Sequence, residues 1–211
     1  MKTILCYGDS NTYGFNPSNG LRYPEDVRWT GKLQQLLGEE YRVVEEGCNG
    51  RTTVFEDPVE GWKRGIDYLR PCLNTHKPVD IVILMLGTND LKEVFQAGAQ
   101  DAAQGVEDLV DVIQSFTAEK QGFVPKVILV SPPEIEEGVC ASAFSASFGM
   151  RAVRESQKLA GRYKEVAEKK DCLFFNAARH IRPSAEDYVH LGPEGHGILA
   201  EILFTLITEK K

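Results

Sequence analysis

An α/β fold, a parallel sheet with helices on both faces, is predicted by three features of this sequence. Short β-branched and aliphatic runs alternate with helical patterns along the chain. Two of those runs, 79–86 and 126–130, are almost unbroken Val, Ile and Leu, as strands covered on both faces require. At 211 residues, the chain is long enough to bury one full core and is expected to form a single domain over 1–211.

Taken in order, residues 2–7 read as the first strand and 29–37 as the first helix. The second strand is 41–45, and the helical pattern over 61–76 contains Pro71, which is expected to kink or end it. Strand 79–86, helix 102–120, strand 126–130, helix 151–170 and strand 172–175 follow. In 151–170, Val153, Leu159, Tyr163, Val166 and Ala167 mark one apolar face. A closing helix spans 193–207, with Pro193 near its start, where a missing N–H is tolerated. The stretch 134–149 is the least regular, suited to a loop over the site, a subunit contact or a plain surface loop.

Composition narrows the classes of function. With 42% hydrophobic and 26% charged residues the chain is ordinary globular protein. Its net charge of -7 and the lack of Lys/Arg clusters argue against nucleic acid as partner. Five cysteines, widely spaced and without a C-x-x-C, argue against a disulfide framework or a zinc site. The apolar run at 4–7 is too short for a signal peptide, and no run approaches membrane-spanning length. A cytoplasmic protein with no membrane partner is the expectation.

Ligands of such sheets bind beyond the carboxyl ends of the strands, where strand order reverses. Just after the first strand stands Gly8-Asp9-Ser10-Asn11-Thr12. Ser10 there is either a helix cap or a nucleophile, and a hydroxyl attacks only if a base takes its proton. Asp187 and His190 share a short loop before the last helix, where the carboxylate can orient the imidazole and leave its second nitrogen as base. Of the other histidines, His76 and His180 lack a carboxylate at similar local spacing, and His196 lies inside the closing helix. The third strand ends in Gly87-Thr88-Asn89-Asp90, turn residues whose Asn89 amide could donate to an oxyanion, an interaction worth about 3 kcal/mol. After the second strand, Gly50 can present a backbone N–H closely to a ligand. Together the four segments supply nucleophile, base, orienting acid and oxyanion donors, the inventory of acyl transfer.

With these blocks in place the chain resembles the SGNH hydrolases, also called the GDSL esterase/lipase family. The resemblance implies a three-layer αβα fold around a five-stranded parallel sheet of flavodoxin-like topology. It places Ser10 as nucleophile, Asp187 and His190 as its partners, and Ser10, Gly50 and Asn89 as the oxyanion hole. Asp26-Val27-Arg28-Trp29-Thr30-Gly31, Arg51-Thr52-Thr53, Tyr68-Leu69-Arg70-Pro71-Cys72-Leu73, Met85-Leu86-Gly87-Thr88-Asn89-Asp90 and Val130-Ser131-Pro132-Pro133 are similar to bacterial arylesterases. That subgroup includes an acyltransferase and implies a homo-oligomer, a small-molecule ester substrate, and no cofactor or metal. Asn11 departs from the Leu of the family's name, Phe15 from a larger aromatic of the acyltransferase and Gly50 from its alanine. Thioesterase, lysophospholipase and carbohydrate deacetylase use the same constellation, and an inactive relative that only binds acyl ligands is the reading outside catalysis. A nucleotide-binding protein is disfavoured: no G-x-x-x-x-G-K-S/T occurs, and the G-x-G-x-x-A at 195–200 lies in the closing helix.

Overall fold

Alternation of side chains along each strand decides which helices lie on which face of the sheet. A computed structural model describes residues 1–209. Strands β1 (Lys2–Gly8), β2 (Tyr41–Gly47), β3 (Ile81–Met85), β4 (Lys126–Ser131) and β5 (Leu173–Asn176) form one sheet of order β2-β1-β3-β4-β5. Every pairing in it is parallel. Leu5 and Tyr7 of β1, Val82 and Leu84 of β3, and Val127 and Leu129 of β4 point to one side. There α3 (Gly65–His76), α4 (Ala99–Gln121) and α5 (Met150–Lys169) cover them. Ile4 and Cys6, Ile81, Ile83 and Met85, and Ile128 and Val130 point to the other, under α2 (Trp29–Leu37) and α6 (Pro193–Thr208). A fully buried aliphatic side chain contributes about 1.5–3 kcal/mol, so the two layers hold the sheet from both faces. Among the described residues no helix is long and apolar enough to cross a membrane.

The five strands and the longer helices come in the expected order, a short helical turn after β1 is an addition, and the remaining differences lie mainly at element ends. Strand β3 is shorter than 79–86 at both ends, although Val79 and Leu86 are fully buried. The Gln121 side chain accepts from Val79 N at 2.9 Å and donates to Val79 O at 2.9 Å, taking a neighbouring strand's place. Helix α3 starts at Gly65 rather than 61, where the amides of Gly65 and Ile66 donate to the carbonyls of Thr52 and Thr53. Pro71 does not end it: the helix runs on to His76, and only the bond to the exposed Asp67 is lost. Helix α4 starts earlier than expected because Asp101 caps the Gly98 amide at 2.9 Å.

On the α2/α6 side a buried imidazole is built into the packing. His196 Nδ1 accepts from Trp29 N at 3.2 Å, while Nε2 is buried with no partner. Burial drives its pKa down to about 3. An unfolded histidine titrates near 6.5, so between about pH 6.5 and 3 the unfolded chain binds a proton that the native one refuses. This residue's share of the stability is therefore complete above pH 6.5 and declines as pH falls. Between pH 7.5 and 5, urea unfolding should show the native protein losing about 2 kcal/mol more than His196→Asn, which keeps an acceptor for Trp29 N but does not titrate.

Candidate active site

Strands β1 and β3 are neighbours, and their register puts Gly8 beside Met85. The turns leaving both strands therefore meet at one point of the sheet's carboxyl edge. After β1 the chain forms a single helical turn, α1 (Ser10–Tyr13). Its N-cap is Asp9, whose carboxylate accepts from Asn11 N at 2.9 Å. With capping done by Asp9, the Ser10 hydroxyl is free for another partner. It lies 2.8 Å from His190 Nε2, and His190 Nδ1 lies 2.6 Å from Asp187 Oδ2.

The loop carrying His190 is shaped by Asp187 itself. Its Oδ1 accepts from the amides of Val189 and His190, both at 2.9 Å. Between Asp187 and Val189, Tyr188 adopts φ 64°, a left-handed conformation that a bulky residue holds only when its surroundings impose it. Burial works to raise the Asp187 carboxyl, but the bonds from the His190 ring and the two amides outweigh it and hold it below the usual range. All three side chains are nearly inaccessible to solvent. With Nδ1–H donating to the carboxylate, Nε2 carries the lone pair and accepts from the hydroxyl, the arrangement a general base needs.

Asn11 fastens the two loops together. Its Oδ1 accepts from Leu191 N at 2.9 Å and its Nδ2 donates to Val189 O at 3.4 Å. The departure from Leu at this position is thus a bridge from the serine turn to the histidine loop.

The other two blocks reach the same place. Gly50 sits at φ 76°, where a side chain is disfavoured. Asn89 Nδ2 donates to Arg51 O at 3.1 Å, and Asp90 accepts from Thr53 N at 3.1 Å. Arg51 donates to Gly8 O at 2.9 Å and to Glu46 O, with its guanidinium 4.2 Å from the centre of the Tyr7 ring. Arg51 and Asp90 lock the loop after β2 onto the ends of β1 and β3, a role the sequence reading did not assign them. Burial pushes Asp9 and Asp90 up to about 6.

Ser10, Gly50, Asn89 and His190 line one cavity of about 160 Å³. Phe15, Phe144, Phe148 and Val189 make its apolar wall, and the rings of Phe15 and Phe144 lie 4.4 and 5.2 Å from the His190 ring. The irregular stretch 134–149 is therefore, in part, a wall of this cavity. A larger cavity of about 350 Å³ shares Gly50, Lys92 and Ser147 with it and adds Asp57, Glu60, Lys63, Val59 and Val94. The remaining histidines are elsewhere: His180 stacks on Phe175, and His76 lies 2.8 Å from Glu46.

A serine, an imidazole and a carboxylate thus stand in line at the carboxyl edge of a flavodoxin-like sheet. Comparison with known proteins gives the class, an esterase-type hydrolase: the model of the GDSL-like lipase/acylhydrolase family matches residues 6–198. The chain belongs to that family. It is similar to a carbohydrate acetylesterase from Sinorhizobium meliloti and to an aryl esterase from M. smegmatis. Each is 34% identical, with a TM-score of 0.91 and 98% of both chains covered. It is also similar to a putative arylesterase from Agrobacterium tumefaciens, 34% identical, with a TM-score of 0.90 and 98% of both chains covered. No match was found among the curated protein sequences.

Asn11→Leu leaves the buried Leu191 amide without its acceptor, which costs about 1–3 kcal/mol. Urea unfolding should show that loss as a lower midpoint.

Proposed function

We propose that this protein hydrolyses short-chain carboxylic esters, aryl or acetyl, through an acyl-enzyme on Ser10. The observation that carries the reading is the line Ser10 Oγ, His190, Asp187, with contacts of 2.8 and 2.6 Å. His190 Nε2 takes the hydroxyl proton as Oγ attacks the ester carbonyl, and Asp187 holds the resulting imidazolium. The backbone amides of Ser10 and Gly50 and the Asn89 side-chain amide receive the oxyanion. The tetrahedral adduct collapses, and the leaving alcohol departs with the proton from Nε2. Water then gives its proton to Nε2 and attacks the acyl group, so that Ser10 is regenerated and the acid released. The reaction draws on no cofactor or metal.

The cavity of about 160 Å³ beside Ser10 supports a small acyl group, because three phenylalanine rings close it. Lysophospholipase and long-chain thioesterase activities fit that space poorly. The adjoining cavity has charged groups among apolar ones, Asp57, Glu60, Lys63 and Lys92 with Val59 and Val94, and suits the alcohol half of the ester. Those groups favour, as the second reading, an acetylated polyhydroxy compound such as a carbohydrate. Acyl transfer to an alcohol is the same chemistry with another acceptor occupying that cavity in place of water. The proposal takes 1–211 as one catalytic unit, a homo-oligomer by resemblance. Its five free cysteines suit a reducing compartment such as the cytoplasm.

Ser10→Ala should lower kcat for p-nitrophenyl acetate by roughly 10⁴-fold or more with the circular-dichroism spectrum intact. A fluorophosphonate probe should label the native chain at Ser10; a folded protein that neither labels nor turns over is the ligand binder instead. Across p-nitrophenyl esters of increasing chain length, kcat/KM should be highest for the shortest acyl groups. Phe144→Ala should move that optimum to longer chains.

A further inference from the structure

Three side chains outside the ester site converge on one point beside the edge strand β2. Glu45 of that strand turns toward α2, where it pairs with Arg28 and Thr30. Alternation therefore sends the next residue, Glu46, to the opposite face, toward α3. Cys72 and His76 are four residues apart on α3, which places them one above the other on one face of the helix. A carboxylate oxygen of Glu46, the Cys72 sulfur and a His76 ring nitrogen all lie within 4.8 Å of one another. His76 Nε2 is 2.8 Å from Glu46 Oε1. Glu46 and His76 are each about one-fifth exposed (19% and 18%), and Cys72 is fully buried beneath them. A surface cavity of about 610 Å³ opens onto Glu46 and provides an approach from solvent.

We propose that Glu46, Cys72 and His76 form a binding site for a divalent transition-metal ion of the zinc type. The donor set decides the class of ion. One sulfur, one imidazole nitrogen and one carboxylate oxygen suit zinc and cobalt, whereas magnesium and calcium require oxygen ligands. Charge permits it as well. The thiol gives its proton to solvent on binding, so thiolate and carboxylate together balance the two positive charges. The Arg51 guanidinium, which donates to the Glu46 carbonyl, then faces a neutral complex. Three protein ligands leave a fourth tetrahedral position for water. The ion clamps the last turn of α3 to the carboxyl end of β2. None of the three ligands is among Ser10, Gly50, Asn89, Asp187 and His190.

Cobalt titration of the full-length, chelator-stripped protein tests the proposal. One equivalent of Co²⁺ should produce visible d–d bands and a near-ultraviolet thiolate-to-cobalt charge-transfer band, both abolished by one equivalent of Zn²⁺. His76→Gln, a partly exposed position at the helix end, should weaken binding by tenfold or more, and Cys72→Ser should remove the charge-transfer band. Cys140→Ser, at an exposed cysteine, should change neither. Zinc should raise the Tm of the native chain and leave that of His76→Gln where it was. No saturable band, a band unchanged in His76→Gln, or a band lost in Cys140→Ser would overturn the assignment.

Discussion

The close approach of the turn after β1 to the ends of its two neighbouring strands is the constraint on which the site depends. A Cβ on Gly8 would lie 2.0 Å from the Thr12 hydroxyl and 2.7 Å from the Met85 carbonyl. A Cβ on Gly47 would lie 2.1 Å from Tyr13 N. With hydrogen at both positions, α1 drops onto the carboxyl edge between β2 and β3. Ser10 is then held within reach of loops that belong to 49–53, 87–91 and 184–191. Moving that turn one ångström away from His190 would stretch the 2.8 Å contact beyond the roughly 2.7–3.2 Å span of such bonds.

Holding the turn down means burying charge, and the molecule places it asymmetrically. Asp9 and Asp90 lie beneath the site, and one oxygen of Asp9 has no partner. Burial lifts both acids to about 6, above an unfolded aspartate. Between about pH 6 and 4 the native chain therefore takes up protons at these two residues that the unfolded chain does not. On acidification they favour the native state, while His196 on the other face disfavours it. The Arg51 guanidinium offsets part of the Asp9 charge, and its bonds to Gly8 O and Glu46 O place it between strand ends. The polar floor of the site is thus also part of the fold's response to acid.

Much of the architecture was legible because it follows from period and composition. Buried parallel strands are almost wholly apolar, the blocks with Ser10, Gly50 and Asn89 follow the ends of such strands, and the Asp187–His190 pair stands just before the last helix. The strand and helix limits were less so, for they depend on partners far along the chain: Gln121 substitutes for a strand at Val79, and Thr52 and Thr53 start α3. The same distance hid Asn11, whose bonds reach residues 178 and 180 positions away. It also hid Glu46, 30 residues from His76. A search for metal ligands by local spacing sees only the helical pair Cys72 and His76, which is common in any helix. Phe15 stood out only through the resemblance, and Phe144 and Phe148 carry no signal of their own, because irregular loops bring them to the cavity beside His190.

Those loops belong to the fold rather than to a moving cover. In 134–149, Ile135 N donates to Ser156 Oγ at 3.0 Å, and Glu136 N donates to Tyr188 O at 3.1 Å. At the far end Gly149 N donates to Glu93 at 3.2 Å, and Phe148 is buried. The contact from Glu136 is to the strained residue that sets the His190 loop. Tyr188 holds its left-handed conformation between Ser184, which accepts from its amide at 2.8 Å, and Glu136. The wall of the acyl cavity and the geometry of the proposed base therefore share one anchor. A substitution that loosened 134–149 to admit a larger acyl group would also release Tyr188, and with it the alignment of His190. Under the proposed chemistry, breadth of substrate and rate of proton transfer are coupled, and an enlarged cavity that keeps its rate needs space made at the ring positions rather than in the loop backbone.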